Sequence, residues 1–171
     1  MKALLIVDMQ NDFMPGGALP VPRGDEIIAM INQLIPHFLL VLATQDWHPK
    51  SHTSIAVNHR DKKKAEVIIV EGIEQILWPI HCVQHTHGAD LVEQLNKKSI
   101  AKIFFKGTNP RVDDYSAFFD NAKMQQTGLG EYLKDSRVQQ LYIAGVATDY
   151  CVLYSTLDAI DLGFTVYVVA D

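Results

Sequence analysis

Four chemically capable side chains stand where short apolar runs give out. Asp8 follows residues 3–7, Asp46 comes soon after residues 39–43, Lys106 follows Ile103-Phe104-Phe105, and Cys151 closes Gly145-Val146-Ala147-Thr148-Asp149-Tyr150-Cys151. Asp171 follows a further run. If these runs are strands of one open α/β sheet, ligands bind at their carboxyl ends, and residues far apart in sequence can share one crevice. Asp also favours turns and helix caps, which would explain an isolated Asp8 without any function. A lysine after an apolar strand has no such ready explanation.

Cys151 is expected in the first turn of a helix, just past a strand. Unpaired N–H groups and the helix dipole would lower its thiol pKa there and could stabilise an oxyanion beside the sulfur. The competing reading is a small, buried, inert hydrophobe, the commoner fate of a free cysteine. A cysteine nucleophile needs a base and something that favours the thiolate. Asp8 could take and return the proton, and Lys106 could favour the thiolate and hold the carboxylate. An Asp8–Lys106 ion pair beside an unrelated cysteine fits the same residues.

Asp46-x-His48 forms a second constellation with the distant His81. Ligands at i and i+2 on an extended segment project to one side, and a third from another loop could complete one face of a divalent ion. One carboxylate with two imidazoles suits zinc, manganese or ferrous iron. Asp-x-His alone is a weak pattern, and His52 and His59 stand near by. Neither His-Glu-x-x-His nor Cys-x-x-Cys is present, which argues against a zincin, a zinc finger or a nucleobase deaminase.

The elements that must position these groups can be traced in order. Residues 3–7 read as a buried parallel strand. A helical pattern opens at Gly24-Asp25, carries Ile27, Ile28, Ile31, Leu34 and Ile35, and stops at Pro36. A strand near 39–43 leads into an irregular region up to about residue 88 that holds six of the seven histidines. A loop this long in a compact domain is usually functional. Residues 67–70 suggest a short strand without a clear place, and residues 88–98 a short helix with Leu91 and Leu95 inward. A strand at 103–105, a helix about 130–134, a strand at 141–146, a helix at 150–162 and a strand at 165–170 follow. Alternating helices and wholly apolar strands indicate an α/β fold with a parallel sheet.

The chain has 171 residues, 48% hydrophobic and 20% charged, which suits one globular domain over 1–171 with a sizeable core. A net charge of −5 argues against a nucleic-acid or anionic-membrane surface as the main partner. The opening apolar run is too short for a signal peptide or a membrane span. With only Cys82 and Cys151, a disulfide framework is implausible, and a reducing cytoplasm is the expected home.

Taken together, Asp8-Met9-Gln10-Asn11-Asp12-Phe13, Gln45-Asp46-Trp47-His48-Pro49, Trp78-Pro79-Ile80-His81-Cys82-Val83, Lys106-Gly107, Tyr115-Ser116-Ala117-Phe118 and Gly145 to Val152 resemble the motifs of bacterial nicotinamidases. That family lies in the isochorismatase-like hydrolase superfamily. The likeness runs in order along essentially the whole chain. It implies a three-layer, Rossmann-like α/β fold, with a six-stranded parallel sheet flanked by helices. It also implies a catalytic triad of Asp8, Lys106 and Cys151, and an oxyanion hole from the N–H groups of Ala147 and Cys151, aimed by a cis peptide between Val146 and Ala147. Asp46, His48 and His81 would hold one divalent metal, zinc before iron or manganese, and His52 stands where some relatives have a further ligand or a water contact. Phe13, Trp78 and Tyr115 would line the substrate pocket, although plain core packing also explains the latter two.

The activity implied is hydrolysis of nicotinamide to nicotinate and ammonia through a cysteine thioester, a step of NAD salvage, with pyrazinamide as a second substrate. Another superfamily activity (isochorismatase or ureide amidohydrolase) and a non-catalytic α/β binding module are the alternatives. The expected partner is a small molecule, with neither nucleic acid nor membrane, and a homo-oligomer is left open. Two departures from the family stand out. Ile55 replaces a usual aromatic residue, and the sequence stops at Asp171 where relatives continue into a glycine-containing loop and a closing helix.

Overall fold

The structure, a computed structural model, describes residues 1–70 and 72–170. Glu71 and Asp171, including the expected strand-end role of Asp171, lie outside the described residues.

The sheet grows outward from β1 (Lys2–Val7), which is paired on both sides. Its parallel neighbours are β2 (Leu40–Asp46) and β6 (Gln140–Gly145). Outside them lie β5 (Lys102–Lys106) and β7 (Thr165–Val168), giving the order β5-β2-β1-β6-β7. Chain order reverses between β1 and β6, and the carboxyl ends beside that point form the crevice in which open α/β folds bind ligands.

From Ala3 to Val7 β1 is apolar because both of its faces are covered. Ala3, Leu5 and Val7 pack with α2 (Leu129–Asp135) and α3 (Leu153–Asp161), while Leu4 and Ile6 pack on the opposite side with Ile28 and Ile31 of α1 (Ile27–Leu34). Truncating a wholly buried side chain such as Ile31 to alanine would cost about 2–5 kcal/mol.

The sequence expectations need three corrections. The described residues form five parallel strands, not six, plus a separate antiparallel hairpin of β3 (Val67–Val70) and β4 (Ile73–Ile76). That hairpin accounts for the unplaced strand at 67–70. Residues 88–98 do not form a helix. Leu91 and Leu95 are buried as expected, but between two short 3-10 turns the segment is irregular, with Leu91 bridged to Gln10, Val92 N donating to Met9 O at 2.9 Å and a turn closed by Leu95 N on Val92 O at 3.3 Å. Finally, Cys151 lies in a π-helical turn, Thr148–Val152, that runs into α3. Among the described residues no helix is long and apolar enough to cross a membrane.

Candidate active site

β2 runs to Asp46 although its last three residues, Thr44, Gln45 and Asp46, are polar and buried. Buried polar groups need partners, and each finds one. Thr44 Oγ1 donates to Asp8 Oδ1 at 2.6 Å, and Gln45 Nε2 donates to Ala89 O at 2.5 Å. Asp46 N donates to Gln10 Oε1, and Gln10 Nε2 returns the bond to Asp46 O, both at 2.8 Å.

Asp8 turns off the end of β1 with φ +50°, and Lys106 is the last residue of β5, in register with Asp46. Lys106 Nζ is fully enclosed. It lies 3.0 Å from Asp8 Oδ2, 2.7 Å from Asp46 Oδ1, 3.0 Å from Asp114 O and 3.5 Å from Cys151 Sγ. The Asp8 contact is an ion pair without hydrogen-bond alignment, so Asp8 Oδ2 keeps acceptor capacity next to the thiol.

The electrostatics follow from this burial. Burial pushes the Asp8 carboxyl above its ordinary range, with Lys106 pulling the other way. Burial also raises the Cys151 thiol well above its usual value, and Lys106 only partly opposes it. The lowered thiol pKa expected from a helix start is therefore corrected: in the resting site desolvation outweighs both the helix end and the lysine.

Asp46, His48 and His81 meet at one point. His48 Nε2 is 3.0 Å and His81 Nε2 3.4 Å from Asp46 Oδ2, and their ligand atoms lie within 4.8 Å of one another. The far side of each ring is fixed by a backbone carbonyl, Gly107 O at 3.1 Å from His48 Nδ1 and Pro79 O at 2.8 Å from His81 Nδ1. A carbonyl only accepts, so in the neutral rings Nδ1 carries the proton and both Nε2 lone pairs face Asp46, the orientation that metal-binding imidazoles adopt. Burial opposes charge on His48, yet the Asp46 carboxylate outweighs it and raises the ring to about 9. The donor set and the orientation of the rings fit a divalent cation, which would take the place of the proton that Asp46 favours on His48.

His52 is turned away from this group. Ser54 N donates to its Nδ1 at 3.1 Å, so the proton sits on Nε2, which faces Val112 O at 3.4 Å. It belongs to a second cluster with His48 and Asp113, but it presents no lone pair there.

The pocket above these groups is lined by Phe13, Trp78, His81, Lys106, Tyr115, Ala147 and Cys151. Phe13 leans on His81 with ring centroids 5.7 Å apart, and Trp78 meets Tyr150 edge-on at 5.0 Å. The Val146–Ala147 peptide is cis. In the next peptide, Ala147 O accepts from Tyr150 N and Val152 N at 3.2 and 3.1 Å, which closes the π-helical turn that carries Cys151. All the residues expected at the site, except the turned-away His52, thus share one crevice. Sequence reading had missed Gln10 and Thr44, which hold the strand ends, and Asp114, Tyr150 and the 19–22 wall, which border the pocket. The signal available for Gln10 and Thr44 was polarity within or just after a buried strand.

The whole chain, residues 2–171, matches the isochorismatase domain. The chain belongs to the isochorismatase family. It is 47% identical over 174 residues to the nicotinamidase of Escherichia coli, spanning 99% of this chain and 81% of that protein. A solved nicotinamidase/pyrazinamidase from Acinetobacter superposes with TM-score 0.96 at 44% identity, covering 98% of this chain and 81% of that one. The pyrazinamidase of Pyrococcus horikoshii, solved in complex with zinc, matches with TM-score 0.77 at 41% identity, covering 98% of this chain and 82% of that one. This isochorismatase-family chain is a hydrolase acting on an amide C–N bond.

Proposed function

We propose that the chain is a nicotinamidase that works through a thioester on Cys151, with Asp8 and Lys106 completing the triad. The observation that carries this reading is the position of Lys106 Nζ, within 3.5 Å of Asp8, Asp46 and Cys151 at once. It ties a nucleophile and base to the edge of a metal-competent cluster beneath an aromatic-lined pocket.

A divalent ion held by Asp46, His48 and His81, zinc before iron or manganese, would anchor the ring nitrogen of the substrate. Phe13, Trp78 and Tyr115 enclose the ring and leave the carboxamide carbon over Cys151. Such positioning removes several kcal/mol, on the order of 7–11 at best, from the barrier. As Sγ attacks, its proton passes to Asp8. The N–H groups of Ala147 and Cys151 receive the oxyanion. When the tetrahedral adduct collapses, Asp8 gives its proton to the departing nitrogen and ammonia leaves. Asp8 then takes a proton from water, the hydroxide attacks the thioester, and the acid departs as Lys106 stabilises the leaving thiolate, to which Asp8 returns the proton and so restores the resting thiol. Pyrazinamide, with a similar ring and the same carboxamide, fits this scheme as a second substrate. The single domain over 1–171 and the two free, buried cysteines suit a cytoplasmic enzyme.

The deciding experiment is ammonia release from nicotinamide, pyrazinamide and a ureide by the purified chain. Turnover of nicotinamide is expected. Turnover of the ureide alone would reject the substrate assignment.

A further inference from the structure

We propose that Asp12 is a positioning residue that sets the geometry of the Asp46, His48 and His81 cluster, acting through the peptide groups of Cys82. The proposal rests on the reading of those three residues as metal ligands. Asp12 lies on a 3-10 turn, Asn11–Phe13, and its Oδ2 accepts from Cys82 N at 2.7 Å across 70 residues of chain. Cys82 immediately follows the ligand His81 and holds φ +44°, a left-handed conformation that a non-glycine residue keeps only when its surroundings impose it. Its carbonyl accepts from His48 N at 2.9 Å. The residue beside one ligand is therefore tied at its N–H to Asp12 and at its carbonyl to a second ligand.

Two further observations separate this role from mere closure of the 12–18 loop. The local bond, Ala18 N to Asp12 Oδ1, is exposed and longer at 3.3 Å. The space for the carboxylate exists because residue 88 is glycine: a Cβ there would lie 2.2 Å from Asp12 Oδ2. Asp12 is absent from the contacts of Lys106 and the pocket lining around Cys151, so its loss should reach the metal cluster before the nucleophile.

The test uses the full chain, stripped with a chelator and reloaded with zinc. Zinc affinity is read by chelator competition, and Cys151 reactivity by iodoacetamide labelling and mass spectrometry. Asp12→Ala should weaken zinc binding by about 10–100-fold and raise KM more than it lowers kcat, with Cys151 labelling unchanged. Asp12→Asn keeps an acceptor for Cys82 N and should restore most of the affinity. Gly88→Ala, which leaves Asp12 in place but displaces its carboxylate, should weaken zinc as Asp12→Ala does, and it decides the matter if that variant does not fold. Zinc binding at wild-type strength in both Asp12→Ala and Gly88→Ala would overturn the proposal. So would an equal loss of zinc affinity and of native Cys151 labelling. A wild-type chain that takes up no divalent ion would instead overturn the ligand assignment, and this proposal with it.

Discussion

Asp46 and Lys106 are register partners on adjacent parallel strands, and Asp46 Oδ1 lies 2.7 Å from Lys106 Nζ while Oδ2 of the same carboxylate faces His48 and His81. One side chain thus joins the cation beside Cys151 to the metal-competent cluster. Substitutions on either side should be distinguishable by which half of the kinetics they disturb.

Cys151→Ala should abolish ammonia release, a fall on the order of 10³-fold or more, while zinc content and nicotinamide binding persist. Calorimetric titration with nicotinamide, run beside the ammonia assay, separates the two effects. Undiminished turnover would remove the cysteine from the chemistry.

Lys106→Met leaves Asp8 and Asp46 enclosed without their cation. Breaking a buried pair in this way costs about 3–5 kcal/mol, so urea unfolding should shift to lower denaturant and activity should vanish. A variant as stable as the parent would show that the lysine is not holding the carboxylates together.

Gly107 has φ +65°, and a Cβ there would lie 2.4 Å from His48 Cε1. Gly107→Ala is therefore expected to push the His48 ring out of line, cut zinc affinity and raise KM. Zinc titration with a competing chelator checks it, and unchanged affinity would contradict the geometry.

Asp114 carries a buried Oδ1 with no partner among the described residues, and burial raises its carboxyl to about 6. Because the folded pKa lies above the ordinary 3.8, the associated stability is fully present below pH 3.8 and is lost as pH rises through 6. Asp114→Asn should thus stabilise the fold at pH 8 by at most about 3 kcal/mol, with the difference fading by pH 4. Thermal melts at both pH values decide it, and a gain at pH 4 equal to that at pH 8 would refute the charge as the cause.

The strands and the strand-end residues were legible because burial on both faces writes itself as an unbroken apolar run, and the chemistry sits where such runs stop. Leu91 and Leu95 misled in a physical way. Their spacing is helical, but the segment spends its hydrogen bonds on Met9, Asn11 and Asn32, partners that no local period reveals. The thiol of Cys151 shows the same limit. A helix start can be read from sequence, whereas the desolvation that outweighs it depends on how tightly the crevice closes. Whether His52 joins the ligands could not be read from its spacing, because its tautomer is fixed by Ser54.

The paired bonds between Gln10 and Asp46 carry one more consequence. β1 has already turned away at Asp8, yet the Gln10 side chain supplies Asp46 with the donor and acceptor that another strand residue would offer. The ladder is prolonged by an amide that is not main chain. In deuterated solvent the Asp46 N–H should therefore exchange as slowly as those in the middle of β2, through global opening alone, although it stands at the rim of the sheet.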